Sequence, residues 1–520
     1  LKGAGNVTPA RSPYDEQDLK VFQHGYRQYE VLPDLDIPKQ ITEGSASLEG
    51  EMTWDLPRRK PYRKLPFGAV PGYCPICPDD KNVATVKSAF MKRIVRDTPV
   101  VNYAVLERFR RFVGGFLESH VRHVRPLGFE EWLLTTSYNE QRKQQLRDAH
   151  DHWCGGRPDR KTCKKIKSFM KTESYPEYKY PRVINSRVDD FKAFSGPYFK
   201  AIEDEIFSLP WFVKHIPIPD RAAAVRRLRK SGMRYYATDF TSFECGFSAP
   251  FMRACECQMY EWCIQDEDMK FICDVICGQN EMSTRTGVRA TITARRMSGD
   301  MCTSLGNGFS NLMLQMFIVH EQGCHYDGLV EGDDGLFSTE AVLTEEQFAD
   351  LGFIIKIDEV DDPCHASFCG LIFSESGQII RDPRRFLQTF GWTHSFLGAR
   401  KKIMNELLRA KALSAVYETP QCPIVGALAR KALLLTEGCE PRFEYDGYHD
   451  LFLKEILNQE IATFKPSDDT RCLFEQLYGV SVVDQVKLEK EINLGQLSNI
   501  PNVLVPTRDQ YDCSAKYVAY

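Results

Sequence analysis

The chain has 520 residues, too many for one compact core, so several lobes are expected. A composition that is 43% hydrophobic and 12% aromatic excludes a disordered chain. A formal net charge of -4 excludes a globally basic surface, so any polyanion-binding face must concentrate its lysines and arginines locally.

About the first 80 residues are rich in Pro and Gly (Pro57, Pro61, Pro66, Pro71, Gly72) and read as an extended arm lying over the surface of a larger body. From about 85 to 150 the pattern is helical: Phe109, Phe112, Val113 and Phe116 recur at helical spacing, and 139–150 reads as a charged helix with a solvated face. A basic segment, 157–187, precedes a helix over 191–207 and a basic cluster of Arg226, Arg227, Arg229 and Lys230. The cluster is expected to line a template or nucleotide channel or to end a solvated helix. A short strand over 234–239 follows, and 288–296 leads through Met297-Ser298-Gly299-Asp300 into a long apolar helix reaching about 322. Two short strands, 326–330 and 336–338, flank Gly332-Asp333-Asp334, a hairpin signal. Beyond about 376 the chain is mainly helical, with a basic helix near Arg400 and an irregular tail after 499.

The eighteen cysteines are scattered, and Cys273 and Cys277 sit in apolar runs, as expected of buried reduced thiols in a cytosolic protein. Cys74 and Cys77 have zinc-knuckle spacing, but His152 and Cys154 make a poor second pair, and two ordinary thiols in a turn are expected. No apolar run approaches the roughly 20 residues needed to span a bilayer, and the polar start is not expected to be a signal peptide. Beginning at Leu1, the chain is expected to be part of a larger product, with any membrane anchor outside it.

The chemistry concentrates in three segments. Glu331-Gly332-Asp333-Asp334-Gly335 places adjacent acids at a tight turn where glycine tolerates positive φ, and a divalent cation is the natural compensator of their repulsion. Asp-Gly is also an ordinary turn dipeptide; a second acid, Asp239 at the end of another strand, is what points to metal chemistry. Two-metal nucleotidyl transfer needs carboxylates from separate strands converging on two ions. Asp239 read alone is a helix cap. In the third segment, Ser298 and Gly299 feed a helix whose first turns carry Thr303 and Asn307, four residues apart on one face able to hydrogen-bond a ribose.

In this order and spacing, the three segments resemble motifs A, B and C of viral RNA-dependent RNA polymerases. Lys171-Thr172-Glu173 with Pro181-Arg182-Val183-Ile184 resembles motif F, the run 351–358 resembles motif D, and Ser367-Phe368-Cys369-Gly370 resembles motif E. The wording is closest to tombusvirus-like positive-strand polymerases, over roughly residues 85–440. The resemblance implies an α+β right hand with an antiparallel palm sheet and mainly helical fingers and thumb. It divides the chain into an N-terminal arm and fingertips (1–84), fingers (85–234), a palm (235–375, with a finger insertion at about 265–290) and a thumb with tail (376–520).

It further implies Asp239 and Asp333 as ligands of two Mg²⁺ or Mn²⁺ ions, with Asp334 an auxiliary ligand or electrostatic neighbour. Lys171 and Arg182 would contact the triphosphate, with Glu173 orienting their strand. Ser298, Gly299, Thr303 and Asn307 would line the nucleotide site. Lys356 would be the general acid, its pKa lowered by an apolar strand around it. Where the family usually carries Asp, this chain has Glu244, so ribose reading would need a shifted backbone or is lost to an ion pair. The implied partners are RNA template and product, nucleoside triphosphates, other viral replication proteins and a host membrane outside the chain. The implied location is membrane-associated replication complexes of the host cytoplasm, and the implied initiation is primer-independent. A scaffold without turnover is disfavoured by the intact Asp239, Asp333, Lys171 and Arg182. Reverse transcription is disfavoured by Asn307 and Gly332. No phosphate-binding glycine loop is present, so no fused NTPase is expected.

Overall fold

The computed structural model describes residues 46–49, 59–96, 98–153, 156–175, 179–443 and 465–506. Its strands, in chain order, begin with β1 (Ala46–Glu49), β2 (Arg63–Lys64), β3 (Lys165–Met170), β4 (Val183–Arg187) and β5 (Arg234–Phe240). Then come β6 (Gln279–Ser283), β7 (Arg289–Thr293), β8 (Tyr326–Glu331), β9 (Asp334–Thr339) and β10 (Ile355–Val360). The last are β11 (Ile372–Phe373), β12 (Ile379–Ile380) and β13 (Trp392–Thr393). Two sheets matter for function: a five-stranded one ordered β1-β7-β6-β3-β4 and a four-stranded antiparallel one ordered β10-β5-β9-β8. Segments far apart in sequence build the first, because β6 and β7 join β3 and β4 there.

Alternation of side chains sets the faces. In β3, Ile166, Ser168 and Met170 point inward while Lys165, Lys167 and Phe169 are exposed. In β5, Tyr236, Thr238 and Phe240 are buried, which turns Asp239 to the opposite face. The helix Thr303–Glu321 lies behind this sheet and buries Leu305, Phe309, Leu312, Met313 and Phe317. A helix apolar on nearly every side needs partners all round. Phe109, Phe199, Phe251 and Phe353 are among those that supply them in the main core. The charged helix Glu140–His152 is capped by Asn139, whose side chain accepts from the Arg142 N–H. Its face is not wholly solvated: Leu146 is buried and Arg142 pairs with Asp189 at 2.6 Å.

The arm departs from expectation. Its described part does not lie over the surface: Tyr62, Tyr73, Ile76 and Cys77 are 0% exposed. β2 pairs with β13, and Leu65, Phe67 and Val70 share a core with Phe386, Phe390 and Leu413. Tyr73 donates its hydroxyl to the Leu504 carbonyl at 2.8 Å. Prolines stop a helix there, but they do not stop an extended segment from burying its aromatic residues against distant helices.

The cluster 226–230 is tied to neighbouring elements. Arg229 bonds Asp362 and Glu375, Lys230 bonds Asp327, and Arg226 donates to the Glu375 carbonyl, so its charges pin loops of neighbouring elements. Cys74 and Cys77 are both buried, and burial pushes the Cys77 thiol up to about 12, which keeps it protonated. His152 instead faces Asp190 at 3.0 Å, while Cys154 lies outside the described residues, as do Tyr511, Tyr517 and Tyr520. Among the described residues, no helix is long and apolar enough to cross a membrane.

Candidate active site

The hairpin is tighter than its motif suggests. Glu331 pairs with Asp334, so Gly332 and Asp333 alone form the turn, and Asp334 is already the first residue of β9. Gly332 has φ +59, and open space surrounds the position a Cβ would take, so backbone conformation is what favours glycine there.

Register then gathers the charged side chains. Lys356 stands opposite Asp239. Asp239 lies one residue beyond the pair Thr238–Gly335, hence opposite Asp334. The result is a cross-strand row, Lys356–Asp239–Asp334–Glu331, on one face of the sheet, with Asp333 in the turn beside it. Burial and then the charge of Asp333 push the Asp239 carboxyl above its usual range, outweighing Lys356, Lys179 and Arg182. Burial, Asp333 and Asp239 push Asp334 up to about 7. Among the described residues, no three His, Cys, Asp or Glu side chains close tightly enough to hold an ion by themselves. The donor set nonetheless suits a hard divalent cation, being carboxylate oxygens from two strands, both pushed up by burial and by the charge of Asp333.

A basic strand pair faces these acids. The ladder of β3 and β4 continues past Met170, where the Lys171 N–H donates to the Arg182 carbonyl at 2.8 Å. The Arg182 guanidinium grips Glu173 through Nε at 2.6 Å and Nη2 at 2.9 Å, and Tyr175 adds its hydroxyl to the same carboxylate at 2.6 Å. These bonds hold the Arg182 pKa up, with a further contribution from Asp333. Lys171 lies 3.5 Å from Glu173 and is half exposed.

The Ser298–Asp300 loop packs directly on β4. A Cβ on Gly299 would stand 2.6 Å from the Asn185 carbonyl oxygen, so the close approach requires glycine. Ser298, Thr303 and Asn307 are all partly exposed. The Thr303 hydroxyl turns back to the Met297 and Asp300 carbonyls, at 3.1 and 2.8 Å. Asn307 accepts from Arg296 Nε at 2.8 Å, which orients its amide. Glu244, in the short helix Phe243–Gly246 after a left-handed Ser242, makes no ion pair among the described residues. Burial pushes its carboxyl up, and it feels Asp333 and Arg182.

Lys356 does not meet the environment expected of it. Its strand is the exposed edge of the sheet rather than an apolar surround, and the ammonium is paired with Asp358 at 2.5 Å. Sequence reasoning also missed two buried polar residues under the hairpin, Asn311 and Gln315, and two buried ion pairs, Arg187–Asp300 and Arg296–Glu256. The signal available was polar residues four apart in an otherwise apolar helix.

Residues 195–414 match the family model described as viral RNA-dependent RNA polymerase. No curated protein matches the chain. The matched span contains the whole four-stranded sheet and the helix behind it, and it leaves Lys171, Glu173 and Arg182 outside. The chain is therefore a nucleotidyltransferase. More particularly, it carries a viral RNA-dependent RNA polymerase domain, whose work is RNA-templated RNA synthesis. That domain implies the right-hand polymerase fold, and the mixed helices and antiparallel sheets agree with it.

Proposed function

We propose that RNA synthesis takes place on the cross-strand carboxylate row, by two-metal nucleotidyl transfer. The observation that carries this reading is the register that brings Asp239 opposite Asp334 with Asp333 beside them, facing Arg182 across the gap between two sheets. Asp239 and Asp333 would hold two Mg²⁺ or Mn²⁺ ions, with Asp334 as auxiliary ligand. When bound, such ions activate the 3′-hydroxyl and neutralise the triphosphate. Lys171 and Arg182 bind the triphosphate, and Glu173 fixes the fork of Arg182 in advance, so little ordering remains to be done when nucleotide arrives.

Asn307, oriented by Arg296, presents an amide nitrogen that has no partner among the described residues, and with Glu244 it reads the ribose 2′-hydroxyl. Ser298 and Gly299 shape the floor beside it, and Thr303 braces the loop. Lys356 serves as proton donor to the leaving pyrophosphate only after releasing Asp358.

The chain would be a tombusvirus-like polymerase with fingers, palm and thumb at the boundaries given above. It would start RNA without a primer, in complexes with other replication proteins at a host membrane. The decisive experiment is incorporation of ribo- and deoxyribonucleotides on an RNA template by wild type and Asp239→Asn. Ribonucleotide incorporation that vanishes in the variant is expected, and preference for deoxyribonucleotides would overturn the reading.

A further inference from the structure

Two polar side chains sit where the helix Thr303–Glu321 otherwise presents apolar ones to the sheet. Asn311 and Gln315 are both 0% exposed and one turn apart. Burying an amide is costly unless its hydrogen bonds are replaced, and here they are replaced by specific ones. Asn311 Nδ2 donates to the carbonyl of Gly332 at 3.2 Å and to that of Asp334 at 3.0 Å, the two residues that bracket Asp333. Gln315 Nε2 donates to Asn311 Oδ1 at 2.6 Å and to Thr238 Oγ1 at 3.1 Å, and Thr238 directly precedes Asp239. The Tyr326 hydroxyl donates to Gln315 Oε1 at 2.8 Å.

The bonds run in one direction. The carbonyls of Gly332 and Asp334 can only accept, so they fix the Asn311 NH₂ toward the hairpin and leave its Oδ1 for Gln315 Nε2. Gln315 Oε1 is then left as the acceptor that the Tyr326 hydroxyl satisfies, so the three side chains lock together from the hairpin outward. The backbone has made room for this arrangement: a Cβ on Gly335 would run into Gln315 Nε2 and Thr238 Oγ1. One helix thereby grips both strand ends that carry the acidic residues.

We infer that Tyr326, Gln315 and Asn311 form a positioning relay that sets the separation of Asp239 from Asp333, and through it the affinity of the carboxylate site for divalent cations. None of the three touches substrate; they act through the backbone on either side of the acids. The inference rests on the carboxylate reading proposed above. A network that merely satisfied buried polar groups would affect stability alone, whereas a positioning relay changes cation affinity as well.

The test measures Mn²⁺ binding by paramagnetic relaxation of water protons, with thermal midpoints and steady-state kinetics, on the full chain carrying Asn311→Asp, Tyr326→Phe or Asp333→Asn. Asn311→Asp keeps the volume but turns a carboxylate oxygen toward two carbonyls. It is expected to weaken Mn²⁺ binding about tenfold and to lower kcat, with KM for nucleotide within about threefold of wild type. Tyr326→Phe removes one hydroxyl at the far end of the relay and leaves Gln315 Oε1 without its donor, so about threefold weaker Mn²⁺ binding is expected alongside a small drop in the thermal midpoint. Wild-type Mn²⁺ affinity in Tyr326→Phe overturns the relay even if Asn311→Asp fails to fold. If Asp333→Asn abolishes Mn²⁺ binding while both relay variants bind normally, the relay alone is wrong. If Asp333→Asn binds normally, the carboxylate reading beneath it is wrong.

Discussion

Arg187 donates from Nε to Asp300 Oδ2 at 2.8 Å, with the arginine side chain 0% and the aspartate 4% exposed. This pair joins β4, the strand that follows Arg182, to the loop carrying Ser298 and Gly299, and so ties two walls of the candidate site together. Asp300 Oδ1 and Arg187 Nη2 have no further partner among the described residues, so each ion depends on the other. Removing one member leaves a buried charge unpaired, which costs about 3–5 kcal/mol. Arg187→Ala is therefore expected to lower the denaturant midpoint sharply. The double variant Arg187→Met/Asp300→Leu should recover much of the loss, as measured by urea unfolding.

Asp333→Asn should abolish nucleotide incorporation while leaving the fold intact. The change keeps nearly the same volume and relieves repulsion among Asp239, Asp333 and Asp334. Residual activity below about one per cent is expected if Asp333 is a ligand in the proposed two-metal site, since losing such a ligand would raise the barrier by several kcal/mol. A primer-extension assay with matched circular dichroism checks both halves.

Lys171→Ala and Arg182→Ala should each raise KM for nucleotide and lower kcat, because cations on that strand would meet both the bound triphosphate and the charge developing during transfer. Arg182→Ala should be the more damaging. It also leaves Glu173 with only Tyr175 and Lys171 as partners among the described residues. Steady-state kinetics at fixed template concentration would expose the error if both variants behaved as wild type.

Acid sensitivity should trace in part to Glu205, whose side chain is 7% exposed and bonded by the Arg122 N–H and guanidinium at 3.0, 3.1 and 2.8 Å. Burial alone would push this carboxyl up, but the hydrogen bonds and charge of Arg122 outweigh it and hold the pKa below the usual value. A depressed folded-state pKa contributes stability that is complete above the unfolded value, near about 4.3, and is lost as pH falls through the folded one. Glu205→Gln should therefore be less stable than wild type at pH 7 and should show a shallower loss between about pH 5 and 3. Urea midpoints across that range provide the measurement.

The tail offers a test of primer-independent initiation, provided the cut respects the core. Ile500 and Leu504 are buried, and the Leu504 carbonyl receives the Tyr73 hydroxyl, so deletion from 500 would damage packing. Deleting 507–520 removes Tyr511, Tyr517 and Tyr520 and keeps those contacts. Stacking on an aromatic platform is worth about 1–3 kcal/mol per base. Initiation on a bare template should fall while extension of an annealed primer is spared. Equal loss in both assays, or loss in neither, would count against a platform.

What the sequence alone determined is local. The hairpin at Gly332, the strand ending near Asp239 and the apolar helix after Asp300 follow from periodicity and turn chemistry, which act over a few residues. Tertiary structure decided which of these segments meet. Pairing of β5 with β9 placed Asp239 opposite Asp334 across nearly a hundred residues of chain, and pairing with β10 left Lys356 on an exposed edge instead of in an apolar wall. The arm's burial beside the C-terminal helices was illegible for the same reason: Pro and Gly report backbone permission, not the presence of a distant partner. Asn311 and Gln315 carry no signal of purpose in an apolar helix; Gly335 brings a strand close enough for their amides to reach the hairpin. A polar residue's purpose depends on which donor or acceptor stands opposite it, and in a folded chain that is settled by register and packing.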